Sequence, residues 1–260
     1  MDIVLILIAL IFCGLLIKTF YGRKKNRPVQ ELLPEQDRLT LQKYVGFYNE
    51  LDDKKKKEFE RRMQRFLSTV RITGIGAAVE DDDKVFIAAS AVIPIFGFPE
   101  WEYINLNEVL LYPDSFNDAF NQEGADRHTL GVVGTGPYQN IMILSKHALR
   151  NDFINKTGKD NTAIHEFVHL IDKTDGAVDG IPEFLLSKKY VLPWLNLMHR
   201  EIKQIVKNRS DINPYGATDS AEFFAVVSEY FFERPDLLQE KHPELYELLV
   251  RIFRTGNQKQ

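Results

Sequence analysis

His165-Glu166-Phe167-Val168-His169 combines residue types and a spacing that can carry out a reaction. Residues four apart share one face of an α-helix, so both imidazoles can point at a single metal ion. Glu166 is turned about 100° from His165. Its carboxylate then lies beside the ion, where it can take a proton from bound water. Two imidazoles and a carboxylate suit zinc, one per chain, with a fourth position left for water. Bound zinc lowers that water's pKa to about 7, so the expected chemistry is hydrolysis by zinc-bound water that Glu166 deprotonates. Asp172 falls on the same stripe as the histidines, and a carboxylate there can accept a ring N–H and fix the ligand tautomer.

Two histidines require a third protein ligand. His128, His147, His199 and His242 have no distinctive setting. Cys13 is the only cysteine, which excludes a Cys-rich zinc site and an internal disulfide framework. The segment Asp219 to Phe232 is apolar nearly all round, hence a buried helix. A glutamate in such a helix needs a partner or a metal. Glu222 and Glu229 share a face, so either can serve. Glu222 also falls at the reciprocal position of a capping box headed by Asp219, and the local pattern leaves ligand and cap open. Glu229 suits a structural acid or one that supports a ligand. Tyr215, on the approach to this helix, can donate to an oxyanion near the ion or be an ordinary loop tyrosine.

The elements that must position these groups are legible in outline. Asn161 or Thr162 can cap the motif helix. Residues 38–70 read as two helical pieces broken near Asp52 and Asp53. In the second, Phe59, Met63, Phe66 and Leu67 form a packed stripe, with Lys54 to Lys57, Arg61, Arg62 and Arg65 on a solvated or lipid-facing side. Val85 to Ile95 reads as a core helix ending near Pro94, and Glu102 to Tyr112 as a strand. Gly131, Gly134, Gly136 and Pro137 read as a glycine-rich turn before a buried strand at Ile141 to Leu144. That strand, from Asn140, can hold substrate by β-augmentation if it is a sheet edge. After residue 145 the chain reads as almost wholly helical. The fold class is α+β, mainly helical with a small sheet.

Ile3 to Ile17 is an unbroken apolar run, and Ile3 to Tyr21 reaches bilayer-spanning length if Lys18 snorkels. Basic residues follow it at Arg23, Lys24, Lys25 and Arg27, the wrong side for a cleavable signal peptide. The expected organisation is a transmembrane anchor at 1–22, a basic linker at 23–37 and one metal-binding domain at 38–256. Positive residues stay inside. The N-terminus is therefore expected outside the cell (inner) membrane, with the single-pass protein's catalytic domain in the cytoplasm. The net charge of −4 argues against direct nucleic-acid binding.

His165-Glu166-Phe167-Val168-His169-Leu170-Ile171-Asp172, then Asp175-Gly176-Ala177-Val178-Asp179-Gly180-Ile181-Pro182, resembles the Mlc titration factor A family of zinc peptidases. So does Tyr215 followed by Ala221-Glu222-Phe223-Phe224-Ala225-Val226-Val227-Ser228-Glu229-Tyr230-Phe231-Phe232. The resemblance implies a zincin-like gluzincin fold related to the lethal-factor catalytic domain. It implies His165, His169 and Glu222 as zinc ligands, Glu166 as catalytic base and Tyr215 near the oxyanion. It further implies aminopeptidase-like activity and binding of a transcriptional repressor. The expected partners are thus a peptide or protein substrate, the membrane and a transcriptional regulator. The competing class is a zincin-like binding module that captures a repressor or membrane protein with little catalysis. A third reading is a membrane quality-control protease.

Overall fold

The fold around the motif is built from a run of helices, a four-stranded sheet, and a second run of helices. The computed structural model describes residues 33–117, 120–122, 127–134 and 139–254. The proposed anchor at 1–22, most of the linker, and Gly136 and Pro137 of the glycine-rich turn lie outside the described residues. Among the described residues, no helix is long and apolar enough to cross a membrane.

Helices α1 (Glu35–Tyr44), α2 (Gly46–Asn49) and α3 (Asp53–Thr69) come first. The first begins three residues before the expected start at 38, and buried Leu33 precedes it. The break at Asp52 is where expected: its side chain caps α3 by accepting from Lys55 N at 2.9 Å. Phe59, Met63 and Phe66 are buried and Leu67 packs against the core. Arg62, read as part of the solvated side, is instead buried. Its guanidinium donates to the carbonyls of Phe96 (3.1 Å) and Phe98 (3.2 Å). An arginine is tolerated there because its fork of donors satisfies a turn that would otherwise bury bare carbonyls.

Strand β1 (Arg71–Gly74) leads to α4 (Asp81–Ile95), whose residues from Val85 onward are all buried. Burial on every face explains why α4 shows no amphipathic period. Next come β2 (Glu108–Tyr112), β3 (Gly131–Val133) and β4 (Ile141–Ser145). The expected strand from Glu102 is shorter than read and starts at Glu108. Tyr103 is apolar for another reason. It packs on Phe167 of the motif helix and on Phe66, and its hydroxyl donates to Ala91 O at 2.9 Å.

The sheet order is β1-β2-β4-β3, with β1, β2 and β4 parallel and β3 antiparallel to β4. This corrects one expectation, since Gly131 belongs to a strand rather than a turn. The buried-strand reading of β4 holds, and β4, as an interior strand, does not meet the edge condition set for holding substrate. Its continuous apolar run, Ile141-Met142-Ile143-Leu144, suits a strand covered on both faces. The edge beside it is β3.

The remaining chain is helical, as expected: α5 (Lys146–Ile154), α6 (Thr162–Asp172), α7 (Val191–Val206), α8 (Ser220–Glu233), α9 (Pro235–Lys241) and α10 (Pro243–Phe253), with short 3₁₀ turns including Pro214–Ala217. The motif helix α6 packs against α8 and α4 and against β3 and β4. Its Ala163, Ile164, Phe167, Val168, Leu170 and Ile171 are buried in the core. Burying that face holds the histidine stripe toward α8.

Candidate metal centre

Asn161 caps α6, its side-chain oxygen accepting from Ile164 N at 3.1 Å. Between the two cap residues offered by the sequence, Asn161 fills the role. From this start His165 and His169 project on one side, 3.0 Å apart at their Nε2 atoms. Glu222 reaches the same point from the first turn of α8. Its Oε2 lies 2.9 Å from His165 Nε2 and 3.5 Å from His169 Nε2.

These separations test whether an ion fits. Ligand atoms about 2.0–2.1 Å from a tetrahedral zinc must lie about 3.3 Å from one another. The three observed separations bracket that value, and His165, His169 and Glu222 form a convergent metal-ligating set. The capping alternative for Glu222 is half realised. Asp219 accepts from Glu222 N at 2.9 Å, as an N-cap does. The Glu222 carboxylate, however, turns to the histidines. Burial alone would raise its pKa, yet the hydrogen bonds from His165 and His169 hold it well below the usual carboxylate range.

Glu229 stands seven residues on, behind the ligand it supports. Its Oε1 lies 2.7 Å from His165 Nδ1, and its Oε2 accepts from Asn161 N at 2.5 Å. One carboxylate thus joins the cap of α6 to the outer nitrogen of His165. With Nδ1–H donating to Glu229, His165 presents Nε2 as the bare nitrogen a metal requires. Burial opposes charge on His165, but Glu229 and Glu222 outweigh it and raise its pKa well above the ordinary value.

Asp172 does not act as read from the sequence. Its Oδ2 accepts from Gly180 N at 2.8 Å, and Oδ1 has no hydrogen-bond partner among the described residues. Burial raises its pKa to about 6. The helical stripe does carry it toward His169, but the chain turns back after α6 and offers it a backbone donor instead. Gly180, at φ +75°, also accepts from Trp194 Nε1 at 2.7 Å. A Cβ on it would fall 2.1 Å from Ser220 O, where α8 starts. Asp172, Gly180 and Trp194 thereby tie the end of α6 to the start of α8, two residues from Glu222.

Glu166 is buried and not among the converging ligand atoms, as its rotation from His165 requires. Burial raises its pKa, with the nearby histidines opposing. Tyr215 sits on the 3₁₀ turn with its ring 5.9 Å from that of His165. Burial, then the Glu222 and Glu166 charges, push its phenol up to about 12, so it is a hydrogen-bond donor at neutral pH. Glu229 supports a ligand, as one of its two sequence readings had it, but its second contact, to Asn161 N, was missed. The seven-residue spacing of Glu222 and Glu229 carried the signal for the His165 contact, because it allows one helix face to contact both nitrogens of one imidazole.

A helix presenting His-Glu-x-x-His, a third ligand, a carboxylate, from a second helix, and a small mixed sheet alongside define a metallopeptidase domain. Residues 20–254 match the glucose-regulated metallo-peptidase M90 family, and the chain belongs to it. It is 30% identical over 243 residues to an uncharacterized protein, slr2042, of Synechocystis sp., covering 88% of this chain and 87% of that protein. It is 30% identical to Mlc titration factor A of Cronobacter sakazakii, covering 85% of each. Against Mlc titration factor A of Escherichia coli the identity is 27%, covering 86% of each.

Proposed function

We propose that this protein is a zinc-dependent peptidase. The observation that carries the proposal is the convergence of His165 Nε2, His169 Nε2 and Glu222 Oε2 on one point, with a buried Glu166 on the same helix. When bound there, zinc polarises a carbonyl and lowers the pKa of a water to about 7. Glu166 takes a proton from the attacking water and returns it to the leaving amine. Its raised pKa suits both halves of that transfer. The Tyr215 phenol donates to the developing oxyanion. Glu229 holds His165 in the ligating tautomer.

The substrate rail is β3 rather than β4. Leu130 O accepts from Ser145 N and Gly134 N donates to Ile141 O, so the even positions pair inward. In an antiparallel ladder the alternate residues then point outward. Gly131 and Val133 offer main-chain groups to an extended peptide. The aminopeptidase preference implied by the resemblance is part of the proposal. So are the residues 1–22 anchor, the 23–37 linker and the 38–256 domain, in a membrane-anchored protein with its catalytic domain in the cytoplasm.

Cleavage of a peptide library by the purified chain tests the enzyme reading. Activity is expected to disappear with a chelator and in Glu166→Gln. An equally active Glu166→Gln would refute it. A second reading is favoured by what the relatives are called, Mlc titration factor A. On that reading the domain captures a transcriptional repressor, and Glu166→Gln captures it as well as wild type. An anchored enzyme is ill placed to meet a DNA-bound repressor, so protease protection of the domain in intact cells bears on both readings.

A further inference from the structure

Glu166 meets an element outside its own helix at an unusually close distance. A Cβ built on Gly131 would lie 2.7 Å from Glu166 Cγ, 2.8 Å from its Oε1 and 3.0 Å from Thr162 Cγ2. Carbon atoms do not pack that closely. Gly131 is not among the glycines held at positive φ, so its backbone does not demand glycine. The space it leaves for Glu166 does.

Neither wall of this contact is free to recede. Strand β3 is pinned to buried β4 on both sides of Gly131, by Ser145 N to Leu130 O at 2.7 Å and Gly134 N to Ile141 O at 2.9 Å. The first turn of α6 is fixed by Asn161 N to Glu229 at 2.5 Å and Thr162 N to Asp152 Oδ2 at 2.8 Å. A methyl group at 131 must therefore move the Glu166 side chain itself. The conflict starts at Cγ rather than at the carboxylate tip, so a small swing of the end group cannot relieve it.

We propose that Gly131 is a positioning residue for Glu166, its missing side chain setting the distance between the carboxylate and the β3 edge. The inference rests on the reading of Glu166 as general base. The same residue offers main-chain groups to the peptide on that reading, so one position fixes substrate rail and base relative to each other. A shift of about 1 Å in such a group costs up to about a hundredfold in rate.

Gly131→Ala tests it in two ways. In the zinc-loaded protein, kcat should fall about ten- to a hundredfold while KM stays within about twofold. Zinc content should hold, and the pH–kcat profile should shift because the base has moved. In metal-free protein, thermal midpoints of Gly131→Ala, Glu166→Ala and the double variant form a cycle. Gly131→Ala should lower the midpoint by several degrees alone and by almost nothing in the Glu166→Ala background. If Gly131→Ala does not fold, recovery of folding in the double variant gives the same support. Wild-type kcat in Gly131→Ala overturns the proposal. So does an equal midpoint loss in both backgrounds, which would place the conflict at Thr162 or the backbone. An undiminished rate in Glu166→Gln instead overturns the peptidase reading, while the metal-free cycle still measures the contact.

Discussion

Glu229→Gln replaces one oxygen by an NH₂ group at a carboxylate whose two oxygens are both engaged. Oε1 faces His165 Nδ1 at 2.7 Å and Oε2 faces Asn161 N at 2.5 Å. The amide can keep only one acceptor. If its oxygen stays on His165, its NH₂ confronts the Asn161 N–H, donor against donor. If it flips, Nδ1 must accept, the proton moves to Nε2, and His165 no longer ligates. Removing such a supporting partner costs about 10–100-fold in metal affinity, or about 1.4–2.7 kcal/mol. A buried donor left unsatisfied adds about 1–3 kcal/mol of lost stability. Zinc content at buffered free zinc reads the first effect, and chelator-treated thermal unfolding reads the second. Wild-type zinc affinity in Glu229→Gln would refute the tautomer argument.

Glu222→Gln should lose zinc more steeply than Glu229→Gln, because a neutral amide replaces an anionic ligand. Its metal-free stability should fall as well, because the amide loses the charge that His165 and His169 stabilise, although Asp219 still caps α8 through Glu222 N; retained zinc affinity would return Glu222 to a capping role. Tyr215→Phe should keep zinc and lose about tenfold or more in kcat, the loss of one oxyanion donor; an unchanged kcat would leave Tyr215 without a catalytic part. Burial raises the Glu233 carboxyl to about 7, against hydrogen bonding from Asn161. A raised folded-state pKa means stability present below about 4.5 and lost as pH rises through about 7. Metal-free Glu233→Gln should remove up to about 3 kcal/mol of that decline and be more stable than wild type at pH 8; an unchanged pH–stability curve would count against the assignment.

The motif helix was legible because its pattern is local. Its cap, its histidine stripe and its buried face all follow from residues within one helical segment, and the structure bears each out. Glu222 was legible as a candidate because a carboxylate in an apolar helix needs a reason to be there. The sequence could not choose between cap and ligand, since that depends on which helix lies opposite. Asp172 shows the reverse case. Its spacing suits a histidine partner, but a turn at Gly180 brings a backbone donor to it first. Arg62 reads as surface charge because nothing local reveals the three-residue turn whose carbonyls it satisfies. Strand β3 has three residues and no period to detect. Gly131 reads as a turn signal because glycine marks both backbone freedom and missing volume, and only the neighbour across the gap distinguishes them.

Anomalous scattering at the zinc edge, from crystals of the purified chain, addresses the central claim most directly. One peak is expected between His165 Nε2, His169 Nε2 and a Glu222 oxygen, at about 2.0–2.2 Å from each, with Glu166 outside bonding distance. A peak ligated by Glu166 in place of Glu222, or none at a saturating zinc level, would contradict it.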